Sequence, residues 1–80
     1  MKLITKKNEK INGADLLIKV YRNAEYNEYV NRLFIDGVEL IDSSYHTDDK
    51  QDALDSMEAL FTWYKNQLNN PQEALNELLA

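Results

Sequence analysis

The run Leu16 to Arg22, Leu-Leu-Ile-Lys-Val-Tyr-Arg, alternates so that Leu16, Ile18 and Val20 share one face and Leu17, Lys19 and Tyr21 the other. This period of two predicts a half-buried β-strand. A second run, Tyr29 to Ile35, leads into Asp36-Gly37, a pair suited to the two positive φ angles of a type I′ hairpin, and Val38 to Tyr45 follows as the returning strand. A two-residue turn sets the register, with Ile35 facing Val38, Phe34 facing Glu39, Leu33 facing Leu40, Arg32 opposite Ile41 and Val30 opposite Ser43. One face then carries Leu33, Ile35, Val38 and Leu40 and should pack on a helix. The other carries Val30, Phe34 and Ile41 among Arg32 and Glu39, more apolar than a solvated face needs, which predicts cover by the C-terminus or an interface. Ahead of these runs, Lys2 to Thr5 reads as a short strand and Lys6 to Asp15 as a polar, basic loop with Asn12-Gly13 as a turn signal.

The period changes after Asp48. Asp48 with Gln51 resembles a capping box, and Asp49 and Asp52 set carboxylates at the positive end of a helix dipole. Ala53, Leu54, Met57, Leu60, Phe61, Tyr64 and Leu68 then fall within about 60° of one line at helical spacing, a core-facing stripe. Asn69 and Asn70 close this helix. Asn70-Pro71-Gln72-Glu73 predicts a second, short helix with Ala74, Leu75, Leu78 and Leu79 as its stripe. The expected fold is α+β in the order ββββαα: an antiparallel three- to four-stranded meander packed on one long helix, with a short C-terminal helix beside it.

Length and composition narrow the picture further. Eighty residues with two Gly, one Pro and no repeat predict a single domain over 1–80, and an apolar fraction of 44% argues against disorder throughout. The absence of cysteine excludes disulfides and thiolate chemistry and favours a reducing compartment. The N-terminal Met-Lys-Leu-Ile-Thr-Lys-Lys lacks the apolar run of a signal peptide, and a cytoplasmic location is expected. The net charge of −5 is unevenly placed: residues 1–22 hold six Lys/Arg against two acids (+4), and residues 23–80 hold three against twelve (−9). An acidic balance disfavours direct nucleic-acid binding, which draws its affinity from phosphate neutralisation, and leaves an acidic body free to meet a basic partner.

Catalytic and cofactor chemistry finds little to build on. His46 precedes Asp48 and Asp49, yet one imidazole and two carboxylates in a cap region lack the convergent set a metal or a general base needs. Ser43, Ser44 and Ser56 have only that same histidine as a possible base, and Gly13 and Gly37 stand apart in turns rather than in a phosphate loop. No enzyme activity and no cofactor are expected. The suggestive features are surfaces. Asp48, Asp49, Asp52, Asp55 and Glu58 form an acidic cluster that either binds a basic groove or merely caps and solubilises the helix. Trp63 lies about 120° from the centre of the apolar stripe, at the border of the core where aromatics often anchor a partner. Tyr21, Tyr26, Tyr29 and Tyr45 raise the same possibility around the sheet, and Lys6, Lys7 and Lys10, lacking interleaved aromatics in sequence, read as a solvated segment.

In overall plan, a short acidic cysteine-free chain with a meander over Leu16 to Tyr45 and helices over Asp48 to Ala80 resembles small phage-encoded anti-CRISPR proteins. The resemblance implies inhibition by covering the nucleic-acid-binding surface of a bacterial defence complex, with no functional residue transferable by motif. The expectation is a non-enzymatic inhibitor, monomeric or homodimeric, that meets a basic protein partner through Asp48, Asp49, Asp52, Asp55, Glu58 and Trp63. The alternatives are a self-assembling structural or accessory phage protein using Val30, Phe34 and Ile41, or an antitoxin or immunity partner.

Overall fold

The computed structural model describes residues 1–69. Over these residues the fold is α+β: a five-stranded antiparallel sheet with one long helix across one face. The strands are β1 (Lys2–Ile11), β2 (Ala14–Asn23), β3 (Glu28–Ile35), β4 (Val38–Glu39) and β5 (Tyr45–Thr47), and the helix is α1 (Lys50–Asn69). β1, β2, β3 and β4 lie side by side, and β5 also pairs with β3. No described helix is long and apolar enough to cross a membrane.

Two tight turns set the frame. Asn12 and Gly13 have φ of 54° and 86°, and Asp36 and Gly37 have φ of 52° and 80°, so both hairpins use two consecutive left-handed residues whose twist matches that of the strands they join. The turns are laced together, because the Asp15 amide donates to Asp36 Oδ1 at 2.9 Å and the Asp36 amide donates to the Asp15 carbonyl at 2.9 Å. Between them the alternation of β2 acts as expected. Leu16, Ile18 and Val20 are fully buried, and with Leu33 of β3 they meet Ala53, Met57 and Phe61 of α1. Each of the larger of these side chains contributes about 1.5–3 kcal/mol by leaving water.

The segment read as a basic loop is instead the edge strand. Lys6↔Lys19, Lys7↔Ile18, Asn8↔Leu17 and Glu9↔Leu16 are paired positions, so the strand runs on past Thr5 to Ile11, with a register shift between Leu3 and Thr5. Apolar alternation is absent because the inward positions of this strand do not need it. Ile4 and Ile11 pack on the core, while Lys7 and Glu9 point to the helix side and pair with Glu58 at 2.7 Å and Lys65 at 2.9 Å.

The strand expected over Val38 to Tyr45 is also corrected. The hairpin register holds for Ile35↔Val38 and Phe34↔Glu39, and the Leu40 amide donates to the Leu33 carbonyl at 2.8 Å. The chain then leaves the ladder for a 3-10 turn at Ile41–Ser43 and returns as β5, whose pairs are Asn31↔Tyr45, Val30↔His46 and Tyr29↔Thr47. Between Phe34↔Glu39 and Asn31↔Tyr45, β3 advances three residues while the facing segment advances six. Asp42, Ser43 and Ser44, all turn formers, are the residues looped out. Arg32 is therefore not opposite Ile41, nor Val30 opposite Ser43. On the inner face Leu33 is buried and Ile35 and Leu40 pack against the core, but Val38 overhangs the turn and is 65% exposed.

The helix begins two residues later than Asp48. Asp49 is the cap: its Oδ1 accepts from the Asp52 amide at 3.2 Å and its carbonyl from the Ala53 amide at 3.0 Å, while its own amide donates to Thr47 Oγ1 at 3.2 Å. Thr47 takes the donor that a capping-box side chain would have taken. Six positions of the stripe pack as their spacing predicts, with Ala53, Met57 and Phe61 buried and Leu60, Tyr64 and Leu68 beside them, while Leu54 is half-buried outside this cluster. Asn31, only 1% exposed, ties the layers together by donating from Nδ2 to the Ala53 carbonyl at 2.9 Å. The second helix expected from Asn70 lies outside the described residues.

Candidate functional site

The detour between β4 and β5 creates an open apolar groove beside the helix. Ser43 Oγ and the Tyr64 hydroxyl share a hydrogen bond of 2.7 Å, and the Tyr45 hydroxyl donates to Asp52 Oδ2 at 2.6 Å, so the looped-out residues are fastened to one flank of α1. Between these two fastenings lies an open groove of about 420 Å³ lined by Asp42, Ser43, Ser44, Tyr45, Ser56, Ala59, Leu60 and Trp63. Ala59, Leu60 and the rings of Tyr45 and Trp63 make it apolar; Asp42, Ser44 and Ser56 supply polar positions. Trp63 is 54% exposed, and its ring meets that of Tyr64 edge-on at 4.7 Å between centroids. Tyr45 is 38% exposed, and Ile41 on the 3-10 turn is 73% exposed.

The five acidic positions are not presented as one free face. Asp48 is exposed at the helix entry, Asp49 is occupied as the cap, and Asp55 accepts from Gln51 Nε2 at 2.9 Å on the exposed side of α1. Asp52 turns toward Tyr45 at the groove. Glu58 turns the other way, to Lys7 on β1. Hydrogen bonds from the Tyr45 hydroxyl, and next from Thr47, hold the Asp52 carboxyl below its ordinary range, and the same bond to Asp52 holds the Tyr45 phenol above its own. Helical spacing could not show this division, because it depends on which strand stands on each flank. Asp42, which joins the groove, was missed for the same reason: a continuous strand would have set it within the ladder, opposite Asn31.

Of the three positions considered for self-association, Val30 and Phe34 stay on one face of β3 and the corrected register removes Ile41 from it. Val30 is 4% exposed, Phe34 is half-buried beneath Lys19 and Arg32, and Ile41 has left the sheet. Arg32 is held by Glu39, donating from Nε to Oε2 at 3.0 Å and from a terminal nitrogen to Oε1. This two-point pairing keeps the Glu39 carboxyl low and the Arg32 guanidinium high.

His46 is exposed, with Nδ1 3.0 Å from Glu28 Oε1 and not gathered with Asp48 and Asp49. Among the described residues no three His, Cys, Asp or Glu side chains are placed to hold a metal ion together, and Ser43 has the Tyr64 hydroxyl rather than an imidazole as its neighbour. Of the sequence-derived candidates, the structure places Trp63 on the groove, ties Asp52 to the Tyr45 hydroxyl beside it and leaves Glu58 on the opposite flank. No family model, no curated protein and no solved structure matches this chain.

Proposed function

We propose that the protein is a non-catalytic binding protein that docks the Trp63 groove on a basic protein surface. The observation that carries this reading is a half-exposed tryptophan lining an apolar groove of about 420 Å³ with Asp42 on its wall and Asp52 at its helix end. An apolar pocket edged by carboxylates suits a partner that presents an aliphatic or aromatic side chain among lysines and arginines: the apolar contact supplies the anchor, and the charges steer the encounter. In the form suggested by the plan of the chain, the partner is a nucleic-acid-handling complex of bacterial defence, and binding covers the surface on which its nucleic acid would lie.

The test is affinity capture from a bacterial lysate with the wild-type chain, Trp63→Ala and Asp42→Lys, each first shown by circular dichroism to be folded. The expected result is one nucleic-acid-handling protein retained by the wild type at low salt, shed at high salt, displaced by its own nucleic acid, and lost by both variants. Equal retention by the wild type and both variants would refute the groove as the docking site.

A further inference from the structure

The charge balance of the whole chain conceals a segregation that only the sheet reveals. Lys6 of β1 stands opposite Lys19 of β2, and Lys19 stands opposite Arg32 of β3, so three cations lie in register across three adjacent strands on the face away from α1. Like charges placed directly opposite one another destabilise a sheet. Among the described residues only Glu39 offsets this row, through Arg32. Lys10 is exposed on the same side of β1, where Asp15 of β2 stands opposite it.

Aromatic rings lie beside and beneath these cations. Lys19 Nζ is 5.4 Å from the centre of the Phe34 ring, and the Arg32 guanidinium is 5.7 Å from that of Tyr21 and 5.8 Å from that of Phe34. These contacts hold the charges over the face, with Lys19, Arg32, Tyr21 and Phe34 all half-buried and Lys6 and Lys10 exposed. A linear row of cations, spaced by the strand separation of about 4.8 Å over an aromatic floor, matches a flexible phosphate backbone whose bases have π faces to set on rings. A duplex offers no unstacked bases to this floor, and an acidic peptide gains nothing from the rings.

We infer that the outer face of the sheet binds single-stranded nucleic acid along the row Lys6–Lys19–Arg32. The acids Asp48, Asp49, Asp52, Asp55 and Glu58 lie on α1 and its entry, on the other side of the sheet, while on the outer face Asp15 stands opposite Lys10, Glu28 pairs with His46 and Glu39 with Arg32, which leaves Lys6 and Lys19 as the uncompensated pair of the row. The site is separate from the Trp63 groove and does not depend on it.

The experiment is fluorescence anisotropy of the full chain with a labelled oligothymidylate of about 20 nucleotides, long enough to cross the face. With three to four phosphates neutralised, raising salt from about 50 to about 200 mM is expected to weaken binding by roughly 20- to 50-fold. The variant Lys6→Gln/Lys19→Gln should bind at least about tenfold more weakly while its melting temperature stays level or rises, since a like-charge opposition has been removed. Lys10→Gln, at an exposed position, is the milder companion, and a weakening of about two- to threefold is expected of it. Failure to bind the oligonucleotide at low salt, undiminished binding by the double variant, or equal binding of a polyglutamate probe would each overturn the assignment.

Discussion

On one flank of α1, β1 closes over the core with charges: Lys7 reaches Glu58, Glu9 reaches Lys65, and Asn12 Nδ2 donates to the Leu68 carbonyl at 3.2 Å. On the other flank, the segment from Ile41 to Thr47 is fastened by two hydroxyl hydrogen bonds, Tyr45 to Asp52 and Ser43 with Tyr64, and leaves an apolar groove open between them. The first flank has Phe61, 3% exposed, beneath its ion pairs, with the Lys7 ammonium 4.7 Å from the ring centre. The second has Trp63 at its surface. Stability therefore resides where the apolar side chain is covered, and binding capacity where it is not. The visible ion pairs are a poor guide to either, since exposed pairs contribute little and the hydroxyl bonds direct geometry.

Three changes would break or sharpen this contrast. Phe61→Ala should have the largest effect, destabilising the fold by about 3–5 kcal/mol through lost burial and a cavity under the β1 flank, measured by urea denaturation. A loss below about 1 kcal/mol would mean that the β1 flank is not the stable one.

Tyr45→Phe should act locally. It should speed amide hydrogen exchange across residues 41–47 while β1 and β2 retain their protection. Its pH signature follows from the two shifted groups. Asp52 has its folded value below 3.8, so the bond contributes stability above that pH and loses it as pH falls through the folded value. Tyr45 has its folded value above 10.0, so the contribution is present below that pH and is lost as pH rises through the folded value. Removing the hydroxyl should flatten both limbs of the stability profile, and wild-type and variant profiles that run parallel from acid to alkali would show that the bond does not form in solution.

Lys7→Met should have the smallest effect. It keeps the aliphatic stem over Phe61 and removes the ammonium, with its exposed ion pair to Glu58 and its contact with the ring, so stability should fall by no more than about 1 kcal/mol and lose part of its salt dependence. A loss comparable to that of Phe61→Ala would show the ion pair, rather than the ring beneath it, to be the fastening of this flank.

Much of the fold was legible in the sequence wherever the signal was local and periodic. The period-two run of β2, the Asp36-Gly37 turn with its first two pairs, and the stripe of α1 apart from Leu54 each follow from side-chain spacing and form as read. Legibility failed where a residue's role depends on its neighbour across space. β1 carries Lys and Glu at positions facing the helix, so no periodicity announced it; its inward charges are balanced by Glu58 and Lys65, which are far away in sequence. The strand from Val38 broke at the turn formers Asp42, Ser43 and Ser44, a composition that was present in the sequence but outweighed by the apolar residues on either side. For the candidate site, Trp63 at the core border was readable from helical angle alone, whereas its groove, its pairing with Tyr45 and the arrival of Asp42 required the detour to be known.

The sequence by itself determined the core faces of β2 and α1 and where the Asn12-Gly13 and Asp36-Gly37 turns fall, because burial follows from a side chain's own apolarity and a left-handed backbone from Asn-Gly and Asp-Gly. Tertiary structure alone decided how charge is distributed. Strand pairing set Lys6, Lys19 and Arg32 in one row, and the two flanks of the helix drew Asp52 and Glu58 apart. Electrostatic interaction depends on distance in space, and distance in space between residues of different elements is not written in any local window of the chain.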